Sequence, residues 1–171
     1  MRPFAEADIE ALARLHLDSE TMRYFPYGAS PNIDEARARA MKQIAAYAAH
    51  WAERGYGIWA LEDRLDGGFV GRLGLRFVDE LGEIEILYLV ARTRWGQGLA
   101  SEAGQRALAF GFETAGLDRI VALAMPANAA SRRVMEKLGM TREPDRTVWG
   151  HDLVCYALTR DSYERDQASE P

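Results

Sequence analysis

A chain of 171 residues with 48% apolar and 27% charged residues has the size and balance of one globular domain, not of a disordered segment. Its formal net charge of −5 excludes a general nucleic-acid surface, which needs a basic face, yet leaves room for an anionic ligand on a local patch. A single cysteine, Cys155, excludes an intrachain disulfide and a Cys-rich zinc site, and no apolar run reaches the roughly 18 residues of a membrane helix. His16, His50 and His151 lie too far apart for metal-ligand spacing, so no metal is expected. Neither nucleic acid nor membrane is an expected partner. The N-terminus lacks the apolar stretch of a signal peptide, which makes a cytoplasmic protein the default.

In chain order, Arg2-Pro3-Phe4 leaves room only for the stub of a first strand. Residues 8 to 22 read as a helix, with Asp8 as cap and Ile9, Leu12, Leu15 and Met22 near helical spacing. Tyr24 to Pro31 is a breaker region. A second helix follows to about Arg54, opened by the pair Asn32 and Glu35, with Met41, Ile44, Tyr47, Ala48 and Trp51 as its apolar stripe. Strands are then predicted at Tyr56 to Glu62, Phe69 to Val78 and Glu83 to Val90, with turns at Asp66-Gly67-Gly68 and Leu81-Gly82. In the third of these, Ile84, Ile86, Tyr88 and Val90 share one face and Leu87 and Leu89 the other, the mark of a strand buried on both sides. Gly98 to Thr114 reads as a helix, Arg119 to Met125 as a strand and Ala129 to Leu138 as a helix ended by Gly139. A final strand region runs from Val148 to Thr159, and the tail from about residue 162 reads as flexible. No repeat or linker divides residues 1–171, so a single α/β domain with helices on both faces of a mixed sheet is expected.

Two segments carry chemistry. Arg94-Trp95-Gly96-Gln97-Gly98-Leu99-Ala100-Ser101-Glu102-Ala103 joins a buried strand to a helix and is small at 96, 98 and 100. Glycine lets a backbone approach a ligand closely, and the free N–H groups and dipole of a helix start favour an anion. The segment predicts a phosphate or pyrophosphate seat; the alternative is a tight turn with no ligand. It is neither a Walker loop nor a full Gly-x-Gly-x-x-Gly pattern, because no Gly-Lys-Ser/Thr follows and Ser101 stands where the third glycine would be. About 30 residues on comes Asn128-Ala129-Ala130-Ser131-Arg132-Arg133-Val134-Met135-Glu136-Lys137-Leu138-Gly139-Met140, where Asn128 and Ser131 could equally be a helix cap and a first-turn residue.

Together these segments resemble the Gcn5-related N-acetyltransferase (GNAT) superfamily, and most closely its ribosomal-protein N-terminal acetyltransferase-like branch. The strand Glu85-Ile86-Leu87-Tyr88-Leu89-Val90 and the loop Trp95-Gly96-Gln97-Gly98-Leu99-Ala100-Ser101-Glu102-Ala103 follow that branch's pattern, as do Asn128, Ser131 and Glu136 to Met140. The resemblance covers nearly the whole chain. It implies a mostly antiparallel central sheet, acetyl-CoA as co-substrate, and an amine acceptor, either a protein N-terminus or a small molecule; a homodimer is left open. It implies pyrophosphate on the amides of Gln97 to Ser101, coenzyme contacts from Trp95 and Gly96, a pantetheine arm beside Leu89 and Val90, and contacts from Asn128 and Arg133. Arg92, Arg94, Arg132 and Lys137 flank the motifs and otherwise read as solvated charge. Leu87 replaces a common glycine, which narrows the site. Met135 stands where many relatives carry a tyrosine acid, so that role does not carry over.

An acceptor amine must be neutral to attack. An α-amine, with a pKa of about 8, needs little help, whereas a lysine at about 10.4 needs a base. Glu85, a carboxylate among apolar strand residues, is the first candidate base; an ion pair or an exposed strand end is the alternative. Ser131 is the candidate acid or hydrogen-bond donor to the thiol, and N–H groups near Leu89 the candidate oxyanion donors. Glu102 reads as packing at its helix start. Tyr24, Tyr27 and Trp51 are candidates for the acceptor pocket, as is His151. Cys155, between Val154 and Tyr156 with no base nearby in sequence, reads as structural. Competing readings are a non-catalytic acyl-CoA sensor, a transferase of a longer acyl group, and another nucleotide fold using Asp118 as a poor ribose-binding acid.

Overall fold

Phe69–Val78 and Glu83–Val90 pair antiparallel across a turn whose Gly82 takes φ 66°. They form the middle of a six-stranded sheet. In the computed structural model, which describes residues 1–169, the strands are β1 (Ile58–Glu62), β2 (Phe69–Val78), β3 (Glu83–Val90), β4 (Arg119–Ala124), β5 (Thr141–Val148) and β6 (His151–Thr159). Their spatial order is β1-β2-β3-β4-β6-β5. Every neighbouring pair is antiparallel except β3 and β4, which are parallel and joined through a helical crossover.

Helices α1 (Ile9–Leu17) and α2 (Ile33–Arg54) cover one face; α3 (Leu99–Ala109), α4 (Ala129–Lys137) and α5 (Arg160–Ser169) cover the other. The core divides accordingly. Leu12, Met22, Ala36 and Ala40 pack with Leu89 on one side, while Leu73, Leu75, Ile86, Phe112, Ile120 and Met135 pack on the other. β3 therefore has apolar residues buried on both faces, as its sequence predicts.

Several elements differ from the reading of the sequence. α1 stops at Leu17 because Asp18 turns the chain: its carboxylate accepts from the Thr21 N–H at 2.6 Å and its carbonyl from the Met22 N–H at 3.0 Å. Met22 is buried all the same. Asp8 does not cap α1; its carboxylate accepts from the Ala5 N–H and from the Arg2 guanidinium. Arg2 pairs with Ala60 as an isolated bridge, the stub of the expected strand. Asn32 and Glu35 cap α2 reciprocally at 2.9 and 3.0 Å, but Met41 and Ala48 are exposed and the deepest positions of α2 are Ala36 and Ala40. The helix after Gly98 ends at Ala109 and continues as one π turn, Phe110–Thr114.

The final strand region read from Val148 is β6, and a further strand, β5, precedes it as the first arm of a hairpin. β5 was missed because its pattern is polar and contains Pro144. It is an edge strand with a register shift between Glu143 and Arg146, where proline is tolerated. The tail read as flexible forms α5. Arg160 anchors it to the carbonyls of Phe112 and Leu117 at 2.8 and 2.7 Å, and Tyr163 packs on Phe112.

His16 is fully buried in α1, and neither ring nitrogen has a hydrogen-bond partner. Burial, and then the charge of Arg72, disfavour its cation and lower its pKa to about 4. Unfolded histidine titrates at about 6.5, so the unfolded chain takes up this proton first as pH falls. The stability due to neutral His16 is complete above about pH 6.5 and is lost progressively towards pH 4, on the order of 3 kcal/mol in all. Urea midpoints measured from pH 7 to pH 4 should fall less steeply in His16→Leu than in the wild type. Carboxylates such as Asp8, whose native pKa is lowered, add the same acid loss to both proteins. Parallel curves would exclude His16 as the source.

Candidate functional site

β3 and β4 are bridged at one pair only, Glu85 with Val121. Beyond it the strands part, and a cleft of 1100 Å³ opens, lined by Glu85 to Val90 on one side and by Leu123 to Met125 on the other. The β2–β3 register shows which backbone groups face it. The Ala91 N–H donates to the Val70 carbonyl at 2.9 Å, so the odd-numbered residues of β3, Leu89 among them, turn their amides to β2. Tyr88 and Val90 turn theirs to the parted side. The donors expected near Leu89 are thus its two neighbours. The Val90 carbonyl accepts from Trp95 Nε1 at 2.8 Å, which leaves its N–H and both groups of Tyr88 unspent.

The loop from β3 into α3 carries Gly96 and Gly98 at φ 77° and 79°. No atom lies within 4 Å of a Cβ built at either position, so glycine serves backbone conformation here, not crowding. The Ser101 and Glu102 N–H groups donate to the Gly98 carbonyl at 3.0 and 2.9 Å. Among the described residues, no carbonyl accepts from the N–H groups of Gly96 through Ala100. The free run is therefore displaced by one residue from the expected Gln97 to Ser101. The positive end of α3 lies behind this run of donors, an arrangement suited to an anion. Trp95, Gly96, Gly98, Leu99, Ala100 and Ser101 line the cleft, and the Gln97 side chain does not.

α4 begins on the opposite rim. Asn128 caps it, its Oδ1 accepting from the Ser131 N–H at 3.1 Å. Asn128, Arg133 and Lys137 line the cleft. Arg94 also lines it but is paired with Asp63; Arg92 lies near Asp18, and Arg132 is off the cleft. Ser131 Oγ lies 2.8 Å from the Tyr88 hydroxyl, which also donates to the Ser131 carbonyl at 3.0 Å. Burial pushes the Tyr88 phenol well above its ordinary pKa, so it stays neutral. Met135 is buried in the core.

Glu85 sits at the vertex where β3 and β4 separate. It is 5% exposed, and Arg76 Nε donates to its Oε2 at 2.8 Å. The ion-pair alternative is realised, yet burial outweighs Arg76 and raises the carboxyl above its usual range. The same face of the cleft carries Tyr24, Phe25, Tyr27, Tyr47, His50, Arg72 and Leu87. His50 is held by both ring nitrogens: Nε2 accepts from the Phe77 N–H at 3.2 Å, so Nδ1–H donates to the Tyr56 carbonyl at 2.8 Å.

Other expected residues lie elsewhere. Trp51 packs on Trp59 and Phe110 and donates to the Ile58 carbonyl at 3.1 Å, off the cleft. His151 pairs with Val148 in the β5–β6 hairpin, also away from it. Glu102 is exposed beside Arg106 rather than packed. Asp118 pairs with Arg160 at the start of α5, at the end of β4 away from the glycine loop, which removes the ribose-acid reading. Cys155 is 1% exposed in β6, and burial raises its thiol pKa. Arg72, Tyr88 and His50 were missed. Arg72 and Arg76 stand four apart in β2, hence on one face, which was a readable signal. Among the described residues no helix is long and apolar enough to cross a membrane, and no group of three or more potential metal ligands occurs.

Residues 1–141 match the family profile described as Acetyltransferase (GNAT) domain. YkkB of Bacillus subtilis (strain 168) is 36% identical over 108 residues, which is 61% of this chain and 63% of that protein. The uncharacterized N-acetyltransferase YnaD of the same organism is 35% identical over 145 residues, 84% of this chain and 79% of that protein. Among solved structures, the acetyltransferase (GNAT family) from Bacillus anthracis superposes with a TM-score of 0.77 at 28% identity, covering 94% of this chain and 93% of that one. Spermidine N-acetyltransferase from Vibrio cholerae, in complex with CoA and spermine, shares the fold at 18% identity, with a TM-score of 0.73 and coverage of 95% and 96%.

The balance at Glu85 is measurable. Its carboxyl, followed by carbon-detected NMR and assigned through Glu85→Gln, should titrate above 4.5. Arg76→Met should raise the midpoint further, because Arg76 favours the charged form. A wild-type midpoint at or below 4.5 would mean that the ion pair dominates burial.

Proposed function

This chain belongs to the GNAT acetyltransferase family, and from that premise we propose that it moves an acetyl group from acetyl-CoA to a primary amine by direct transfer. The observation that carries the reading is the run of free N–H groups from Gly96 to Ala100, opening onto the gap between β3 and β4. That run suits a pyrophosphate, with Arg133 and Lys137 supplying positive charge on the opposite rim. The unspent main-chain groups of Tyr88 and Val90 suit an amide-bearing pantetheine arm laid beside β3 as an added strand. Asn128 lies along the same path. The coenzyme A in the Vibrio cholerae structure of this fold supports the choice of donor. The segments Glu85 to Val90 and Trp95 to Ala103 support the ribosomal-protein N-terminal acetyltransferase-like branch.

Acetyl-CoA supplies an acetyl group activated as a thioester. Glu85, at the vertex, takes the proton from the attacking amine directly or through one water; its raised pKa brings it nearer to working pH. Arg76 keeps enough of it ionised to act. The Tyr88 N–H, the one nearer Glu85, faces the carbonyl oxygen as charge develops there, which leaves the Val90 N–H and the Tyr88 carbonyl for the arm. Ser131, whose hydroxyl lies beside Tyr88, can turn to give the departing thiolate a hydrogen bond; the thiolate takes its proton from solvent, and Glu85 returns the proton of the amine to solvent. Because Cys155 is buried in β6 and off the cleft, transfer passes through no acetyl-cysteine.

Gly98→Val should weaken coenzyme A binding at least tenfold, about 1.4 kcal/mol, because a β-branched residue resists φ 79° and distorts the amide run. Unchanged affinity by calorimetry would sink the assignment of the loop. Glu85→Gln should slow turnover mainly at low pH, where fewer amines are already neutral. Ser131→Ala should lower kcat by about 10²-fold, with little change in coenzyme A affinity. Wild-type pH–rate profiles in both variants would leave only positioning and the oxyanion donors as catalytic devices.

A further inference from the structure

Arg72 is 3% exposed, lines the cleft, and has no carboxylate within ion-pair distance among the described residues. The acids that line the cleft are paired elsewhere: Glu85 with Arg76 at 2.8 Å and Glu20 with Arg23 at 3.7 Å. Arg72 Nη1 donates to the Tyr47 hydroxyl at 2.5 Å, and the guanidinium carbon lies 5.7 and 5.8 Å from the Phe25 and Tyr47 ring centres. Nε has no partner, and no protein acceptor takes Nη2. A buried cation without an anion is costly, and such groups persist where a ligand completes them. Nε and Nη2 are the adjacent, parallel donors of a guanidinium, and their spacing matches the two oxygens of one carboxylate.

We infer that the acceptor amine carries a carboxylate, held side-on by Arg72; this rests on the acetyl-transfer reading above. Arg72 stands directly opposite Leu89 and Arg76 directly opposite Glu85, so Arg72, Arg76, Glu85 and Leu89 share one face of the sheet. An acceptor whose amine lies at Glu85 can therefore reach Arg72 with a carboxylate along that same face. Tyr24, Phe25 and Tyr27 add an aromatic wall to this end of the cleft. A polyamine or aminoglycoside would bring positive charge against Arg72, and both acids here are already committed. A free amino acid and a peptide with an acidic residue beside its N-terminus share the required chemistry.

The test follows thiol release from acetyl-CoA by the full chain. Acceptors are the free amino acids, their carboxamides, spermidine, kanamycin, and hexapeptides differing only by Glu or Gln at the second position. The best acceptor should bear a carboxylate, and replacing it by the carboxamide should lower kcat/KM at least tenfold. The peptide arm separates the two sources: a Glu-over-Gln preference exceeding that among free amino acids selects the peptide. Arg72→Met should raise KM for the carboxylate acceptor at least tenfold, leave KM for acetyl-CoA unchanged, and collapse the carboxylate-over-carboxamide ratio of kcat/KM at every pH tested. Tyr47→Phe, which keeps the charge but frees Nη1, should give a smaller rise in the same KM. Equal turnover of carboxylate and carboxamide, or a preference for spermidine or kanamycin, overturns the inference and leaves acetyl transfer standing. If coenzyme A binds but no acceptor turns over, calorimetry with N-acetyl amino acids and their carboxamides decides: tenfold tighter carboxylate binding supports the inference, and equal binding refutes it. Failure to bind coenzyme A at all refutes the proposed function instead.

Discussion

One pairing governs this molecule: the parallel contact between β3 and β4, made at Glu85 and Val121 and then abandoned. Backbone N–H and C=O groups in a sheet interior must find partners, so a sheet that opens in its middle creates an internal edge that wants an extended ligand. The crossover through α3 brings the helix start to the carboxyl end of β3, the place where α/β sheets hold ligands. The run of free N–H groups, the strand edge and the buried carboxylate at the vertex are three consequences of that one parting.

The rest of the structure holds the two halves of the sheet at this spacing. At the closed end, Arg119 at the start of β4 reaches Glu83 on β3 at 2.9 Å and Glu143 on β5 at 2.9 and 2.7 Å, clamping three strands. Isolated surface pairs contribute little, but a partly buried bidentate network orients what it joins. At the open end, the Tyr88 hydroxyl reaches across the cleft to the carbonyl and hydroxyl of Ser131 at the start of α4. The halves are thus fixed where they meet and linked lightly where they part.

Charge is divided in the same spatial way. The chain is acidic overall, yet the cleft is rimmed by Arg133 and Lys137 and floored by Arg72 and Arg76. A net charge of −5 describes the outer surface and long-range steering, while recognition is decided by the few charges in the low-dielectric interior. Glu85 offsets part of that floor, and its pairing with Arg76 explains how a carboxylate can be buried there.

Local sequence signals sufficed where local physics decides. The Asn32–Glu35 cap, the ends of β2 and β3, the positive-φ glycines and the helix start after Gly98 all follow from short-range rules. β5 was illegible because an exposed edge strand needs no apolar alternation, and α5 because the anchors of Arg160 come from residues 43 and 48 positions away. In the site, the glycine loop, Asn128 and Glu85 could be named from sequence, but not which amides were free: Ser101 proved occupied by the Gly98 carbonyl, and the strand donors moved from Leu89 to Tyr88 and Val90. The pairing of Tyr88 with Ser131 spans 43 residues, and the isolation of Arg72 depends on which acids its neighbours have taken. By itself, then, the sequence determined the family, the order of the central elements and the glycine turn at the start of a helix, because these are written in residue types at fixed short spacings. Register, hydrogen-bond occupancy and charge compensation were decided only by the tertiary structure, because each depends on partners far away in the chain.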